Sequence, residues 1–411
     1  MNTDAVLSIN AGSSSLKFAL FEVRDPDEPS AVLRGEIEGV GGDPHLRATG
    51  ADGAVVAERR WTAGTSREAL LNAVLELSDG HLGANRLRAV GHRVVHGGTR
   101  FIAPVRVDQE VLKALEALTP LAPLHQPDNL APISTLAATR PRVLQVACFD
   151  TAFHATMPDE ATRLALPRAI SDSGVRRYGF HGLSYEYIGR RLRVIAPVLA
   201  AGRVLVAHLG NGASLCAMRA GRSIDTTMGF TALDGLVMGT RPGTLDPGAV
   251  LYLMRERGMS AAEVEDMLYH RAGLLGVSGV SGDMRALLAS DDPHAREAVT
   301  LFVARLAREA GGLVSALGGV DGIVFTGGIG EHAAPIRAEA CARLAWLGLR
   351  LDEAADARGA GRISAPDSDV EAWVIPTDEE LMVARHTAAV LGVVSPLPPF
   401  AGEVARAKHG G

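Results

Sequence analysis

Val6-Leu7-Ser8-Ile9-Asn10-Ala11-Gly12-Ser13-Ser14-Ser15-Leu16-Lys17-Phe18-Ala19-Leu20-Phe21-Glu22-Val23 holds two apolar runs joined by a hydroxyl-rich turn. No helical pattern follows the glycine, so the stretch reads as strand, turn and strand. A Walker loop would need Gly-Lys-Ser/Thr opening a helix. Side chains of an extended chain repeat every two residues, which turns Leu16 and Phe18 inward and puts Ser13, Ser15 and Lys17 on the other side. Two hydroxyls, an ammonium and turn amides suit a polyphosphate. The alternative is an ordinary hairpin, since Gly-Ser turns join many of them.

The opening pattern has an echo. Arg203-Val204-Leu205-Val206-Ala207-His208-Leu209-Gly210-Asn211-Gly212-Ala213-Ser214-Leu215-Cys216-Ala217-Met218 is again an apolar strand, a Gly/Asn turn and an apolar strand. Two related α/β domains, each presenting such a hairpin, would clamp a nucleotide in the cleft between them. A chain of 411 residues agrees with two domains. Further strands are expected at Val90 to Val95, Val143 to Phe149, Gly322 to Phe325 and Ala372 to Ile375. Thr65-Ser66-Arg67-Glu68 and Ser260-Ala261-Ala262-Glu263 read as capping boxes, Pro293 starts a helix running towards Leu317, and Asp378 caps a last helix ending near Gly392.

Composition narrows the function. Hydrophobic content of 47%, charged content of 21% and a net charge of −6 describe a globular chain without the basic stripe that nucleic acid needs. Met1-Asn2-Thr3-Asp4 has an acid where a signal peptide carries Lys or Arg, and no run reaches the length of a membrane span. Cys148, Cys216 and Cys341 lack metal spacing and read as buried thiols of a reducing compartment, which points to the cytoplasm.

Several residues carry candidate chemistry. Asp150 follows the strand ending at Phe149, at the edge where α/β proteins place ligands; a turn or cap is its ordinary role. Arg93 interrupts an apolar strand, and Arg241 lies in Met238-Gly239-Thr240-Arg241-Pro242-Gly243. Each could grip a carboxylate, neutralise charge on a transferred phosphoryl group, or simply complete a salt bridge. His125, His181 and His208 stand in Gly/Pro-bounded segments without metal spacing. Thr326-Gly327-Gly328-Ile329-Gly330-Glu331 lets the backbone approach a ligand and opens a helix that Pro335 helps to start. Glu379 and Glu380 at the start of the last helix complement its dipole.

In order along nearly the whole chain, these motifs resemble the acetate kinases and the short-chain acyl kinases for propionate and butyrate. The resemblance implies an α/β fold of two duplicated ribonuclease-H-like domains, of the actin, sugar-kinase and heat-shock ATPase superfamily, with an interdomain cleft. It implies domains at residues 1–150 with the helix 378–395 and at 151–377, and a flexible tail at 396–411. The implied reaction is reversible transfer from ATP to acetate, giving acetyl phosphate and ADP in a cytoplasmic homodimer. A propionate kinase is the near alternative; a sugar kinase or an actin-like ATPase module is more distant.

Residue by residue, the resemblance gives Mg²⁺, or Mn²⁺ in its place, to Asn10 and Glu379. ATP phosphates fall to Lys17, Ser13 and Ser15. His208, Leu209, Gly210, Asn211 and Gly212, with Asp283, Met284 and Arg285 and with Gly327, Gly328, Ile329, Gly330 and Glu331, would line the rest of the nucleotide. Asp150, His181 and Arg241 would be catalytic, and Arg93 would bind the substrate carboxylate. Val95, Leu124, Phe180 and Ala232 would wall the methyl pocket. Departures from the usual pattern stand at Gln126, Asp128, Leu183, Tyr185 and His332. Ala232 replaces a usual Pro, which is expected to enlarge the pocket and favour propionate more than a Pro would.

Overall fold

A computed structural model describes residues 4–25, 28–83, 85–359 and 361–392. The expected tail at 396–411 lies outside them. The chain forms two compact units, Met1–Ala152 with Asp378–Gly411, and Phe153–Thr377.

The first unit is built on β1 (Asp4–Ala11), β2 (Ser15–Val23), β3 (Ser30–Glu38), β4 (His45–Gly50), β5 (Val55–Arg60), β6 (Arg86–Val94), β7 (Val105–Arg106) and β8 (Leu144–Phe149), in the sheet order β5-β4-β3-β2-β1-β6-β8-β7. Strands β1, β2 and β3 pair antiparallel, while β6 joins β1 and β8 joins β6 in parallel. In β2 Leu16 and Phe18 are buried and Lys17 is exposed, as the two-residue period predicts. Alternation then lapses, because Ala19, Leu20 and Phe21 are all buried. Leu16, Phe18 and Leu20 pack with Leu70, Leu71, Val74 and Leu75 of the helix Arg67–Leu82; Ala19, Phe21 and Val23 pack with Ala384 and Ala388 of the helix Glu379–Val390. A sheet covered on both sides buries both faces of its strands. Gly91 on β6 makes the second covering possible: a Cβ there would stand 2.1 Å from Thr387 Oγ1 and 2.6 Å from Val383 Cγ1.

The second unit repeats the plan. Its strands β9 (Arg203–Leu209), β10 (Ala213–Arg219), β11 (Arg222–Thr226), β12 (Gly322–Thr326), β13 (Gly361–Arg362) and β14 (Glu371–Val374) run in the order β11-β10-β9-β12-β14-β13. Again three antiparallel strands come first, then two parallel ones. The five-strand cores, β3-β2-β1-β6-β8 and β11-β10-β9-β12-β14, match in order and direction, so the echo between the hairpins is a structural duplication.

Two local expectations are corrected. Ser66, not Thr65, caps the first helix, accepting a hydrogen bond from the Ala69 amide, while the Thr65 hydroxyl turns back to the Thr62 carbonyl. The glycine cluster forms its own short helix, Gly327–His332; it breaks at Ala333, and Pro335 starts a separate helix, Ala334–Arg343. The capping box at Ser260 and Glu263 and the helix Pro293–Leu317 are present as expected. All three cysteines are buried and unbridged. No helix among the described residues is long and apolar enough to cross a membrane.

Candidate active site

In the first unit the hairpin and its neighbours gather four predicted residues. Asn10, next to last in β1, stands directly opposite Lys17 on β2. Arg93 lies near the end of β6, and Asp150 follows β8, its amide bonded to the Val94 carbonyl. Parallel strands that end together bring these side chains to one edge. Arg93 donates to both Asp150 oxygens, Nε at 3.0 Å and Nη2 at 2.6 Å, and its Nη1 donates to Asn10 Oδ1 at 3.2 Å. Glu379 Oε2 stands 3.7 Å from Arg93 Nε. The C-terminal helix is itself anchored, since Asp378 caps it through the Leu381 amide and takes a two-pronged bond from Arg34.

The electrostatics of this edge are those of an acid cluster around one guanidinium. Burial works to lower the Arg93 pKa, but Asp150 and Glu379 outweigh it and hold the cation firmly charged. The Glu379 carboxyl is raised, by burial first and by Asp150 and Asp378, against the pull of Arg93 and Lys17. Burial, followed by Glu379, raises Glu380 as well. Lys17 is half exposed, 3.8 Å from Glu36. Both lie in an open groove of about 600 Å³ lined also by Arg34, His45, Arg47 and Glu380.

Ser13 is exposed and Ser15 half-buried in the turn. Sequence reasoning missed what holds this turn: Arg67 donates to the carbonyls of Gly12 (3.0 Å) and Ser13 (2.7 Å) and pairs with Asp128. Asn129 ties the Ala11 carbonyl to the Val95 amide, and buried Gln126 donates to the carbonyls of His96 and Leu115. Two of the departures therefore support backbone beside the cluster. Val95 is buried and Leu124 half-buried in the same unit.

The second unit brings together a different set. His181 stands at the N-terminus of the helix Gly182–Ile195 with φ 58° and ψ 22°, a left-handed conformation uncommon outside glycine. Its ring stacks on that of His208, centroids 4.2 Å apart and planes 21° from parallel. Serines hold both rings: Ser214 Oγ lies 2.8 Å from His181 Nδ1, and Ser184 Oγ 2.8 Å from His208 Nδ1. A Cβ at Gly212 would lie 2.8 Å from Arg241 Nη2 and 3.3 Å from His181 Nε2, which places Arg241 and His181 on one small space beside the β9–β10 turn. Arg241 Nη1 donates to the Ala232 carbonyl at 2.8 Å. Among the described residues no carboxylate pairs with it. Burial pulls its guanidinium down to about 10, against Tyr269, and it stays cationic at neutral pH.

The remaining candidates of this unit surround the same turn. The Gly239 amide donates to the Asn211 carbonyl, and Gly282 meets the Gly239 backbone. Thr326 pairs with His208 across β12 and β9, so the Gly327–Glu331 segment begins beside Leu209 and Gly210. Glu331 is occupied within the protein, accepting from the amides of Gly327 and Thr377. Buried Arg337, paired with Asp356 at 2.6 Å, donates to the carbonyls of Gly330 and Glu331 and fixes that segment from behind. Asp283 caps the helix Met284–Leu288 and pairs with exposed Arg285; Met284 is buried. Gly328 is exposed and Ile329 half-buried. Phe180 is buried and its carbonyl accepts from His154 Nε2, while Ala232 is half-buried. Leu183 and Tyr185 are buried, and His332 is exposed.

Comparison with known proteins gives the family of the chain. Residues 5–385 match the Acetokinase family. The chain is 57% identical over 388 residues to an acetate kinase of Rhodopseudomonas palustris (strain TIE-1), covering 93% of this chain and 98% of that protein. In structure it is similar to Porphyromonas gingivalis acetate kinase, with a TM-score of 0.83, 36% identity and 94% and 100% of the two chains covered. A propionate kinase from Francisella tularensis subsp. tularensis SCHU S4 superposes with a TM-score of 0.85, at 35% identity over 94% and 99%.

Proposed function

We propose, from the premise that this chain belongs to the acetokinase family, that its two sets of side chains serve one phosphoryl transfer between ATP and acetate. It is a phosphotransferase whose acceptor is a carboxylate. The observation that carries the residue assignment is the contrast between the sets. One holds carboxylates around Arg93; the other holds Arg241 and two stacked histidines, with no carboxylate paired to Arg241 among the described residues.

Acetate needs no base, because its carboxylate has no proton to lose. The barrier lies in positioning the acceptor and in stabilising charge spread over the transferred group. Arg93 has five N–H donors and spends three, on Asp150 and Asn10, so one remains on each Nη for a carboxylate substrate. Asp150 fixes the plane of that guanidinium. Arg241 and His181 supply donors for the phosphoryl oxygens, and Lys17 with the turn at Ser13 and Ser15 offers further phosphate contacts. The segments His208–Gly212, Asp283–Arg285 and Gly327–Glu331 are assigned to the rest of the nucleotide.

The donor chemistry of the first unit fits Mg²⁺. Among the described residues no group of three His, Cys, Asp or Glu forms a metal cage, but Mg²⁺ uses one or two protein oxygens and completes its shell with water and phosphate. Asn10 and Glu379 would hold it, with Asp150 next to them. When bound, the ion would neutralise negative charge on the phosphates. The same reading carries ATP over pyrophosphate as donor, a cytoplasmic location and a homodimer, the last measurable by sedimentation.

Acetate is favoured over propionate because the relatives at 52 to 57% identity are acetate kinases. The test is the reverse reaction: purified protein with acetyl phosphate, ADP and Mg²⁺ should form ATP, read by luciferase, and chelation should abolish it. No ATP from acetyl phosphate, with ATP from propionyl phosphate, would move the assignment to the propionate enzyme. No ATP from either would end the reading.

A further inference from the structure

Tyr185 lies one helical turn beyond His181, and both side chains reach the same atom. The phenol oxygen is 2.5 Å from Ser214 Oγ, and Ser214 Oγ is 2.8 Å from His181 Nδ1. Tyr185 and Ser214 are both fully buried. Three groups thus share two hydroxyl hydrogens, and their count fixes the direction. Ser214 Oγ is the hydrogen-bond partner of the phenol among the described residues, so the phenol must donate to it to avoid leaving its own buried hydrogen unmatched. Ser214 then has its hydrogen left for His181 Nδ1. An imidazole that accepts at Nδ1 carries its hydrogen at Nε2.

His208 has the same arrangement. Thr377 Oγ1 donates to Ser184 Oγ at 2.9 Å, which leaves the Ser184 hydrogen for His208 Nδ1. The two rings stack at 4.2 Å, where like charges repel, and Arg241 already places a cation beside His181 Nε2. His208, Arg241 and the Tyr185 relay each disfavour a second proton on His181.

We propose that Tyr185 is a positioning residue: acting through Ser214, it holds His181 as the neutral Nε2–H tautomer and fixes Nε2 as a hydrogen-bond donor. This rests on the reading of His181 as a donor to the transferred phosphoryl group. A donor locked before the reaction needs no reorganisation as negative charge develops. The residue type matters because a side chain without a terminal hydrogen could not set the direction.

The test uses the full-length protein with ¹⁵N-labelled histidine. The His181 signals are identified among the 13 histidines by their loss in His181→Gln. Long-range ¹H–¹⁵N correlation should show an unprotonated Nδ1 and a protonated Nε2 in the parent. In Tyr185→Phe, Ser214 no longer receives a hydrogen and can accept one, so the Nδ1–H tautomer should appear and His181 should take up its second proton at higher pH. The kcat should fall roughly tenfold, with both KM values within about twofold, and the acidic limb of the kcat profile should move to higher pH. Ser214→Ala removes the hydrogen donated to Nδ1, so His181 should likewise take up its second proton at higher pH, and it serves where Tyr185→Phe fails to fold. A parent already in the Nδ1–H form, or both variants keeping the parent tautomer and pH profile, would overturn the proposal. A changed tautomer with unchanged kcat would support the relay and instead remove His181 from the proposed chemistry.

Discussion

Arg93 and Arg241 carry the same guanidinium in opposite company. Arg93 sits among acids: Asp150 takes two of its donors, Asn10 a third, and Glu379 stands within ion-pair distance. Arg241 has a carbonyl, a tyrosine and His181 around it, and no paired carboxylate among the described residues. A guanidinium already neutralised gains little from new negative charge, so Arg93 suits a ligand that is anionic throughout. One held cationic without a counter-ion gains most when charge develops, and Arg241 suits the transition state.

Arg241→Ala breaks this comparison at its most sensitive point. It should lower kcat roughly a thousandfold and leave the acetate KM within a few-fold, because a charge used in the transition state is lost. Steady-state kinetics over an acetate series measures both, and a loss confined to KM would assign Arg241 to ground-state binding.

Arg93→Met acts on the other side. It strands Asp150, which is 1% exposed, without its counter-ion, and should cost about 3 to 5 kcal/mol of stability as well as acetate affinity. Denaturant unfolding measures it. An unchanged midpoint would mean that the acid cluster does not depend on Arg93.

These two arginines also show what the sequence made legible. Both hairpins were readable from local patterns, an apolar run on either side of a Gly/Ser or Gly/Asn turn, and their repetition disclosed the duplicated sheets. Strands β3 to β5 were not, because β5 is almost wholly exposed and β3 mixes charged with apolar residues, which erases the two-residue period. Candidate side chains were visible by type, but not their partners. Arg67 on the Gly12 and Ser13 carbonyls, Arg34 on Asp378, and Arg337 behind Gly330 are bonds between distant segments or to backbone, and no local spacing announces them. The role of Tyr185 depends on Ser214, 29 positions away.

The first unit should also be the acid-sensitive one. Burial pulls the His92 imidazole down to about 4, against Gln145, and His96 likewise to about 4. Each therefore binds a proton more readily unfolded than folded. The stability they contribute is complete above pH 6.5 and is lost as pH falls towards 4, about 3 kcal/mol each. Thermal unfolding across that window should show the decline, and His92→Gln should flatten its slope. An unaltered slope would place the acid sensitivity elsewhere.

The smallest effect concerns Ala232. Ala232→Pro should shift the ratio of kcat/KM for acetate over propionate about tenfold towards acetate, the scale of one methylene in an apolar pocket. An unchanged ratio would take Ala232 out of specificity.

The central claim is that this chain phosphorylates a short carboxylate, and trapping the product tests it most directly. Purified protein with ATP, Mg²⁺, hydroxylamine and acetate, propionate or glycerol should yield acyl hydroxamate, most from acetate, less from propionate and none from glycerol. No hydroxamate from either carboxylate would contradict the account.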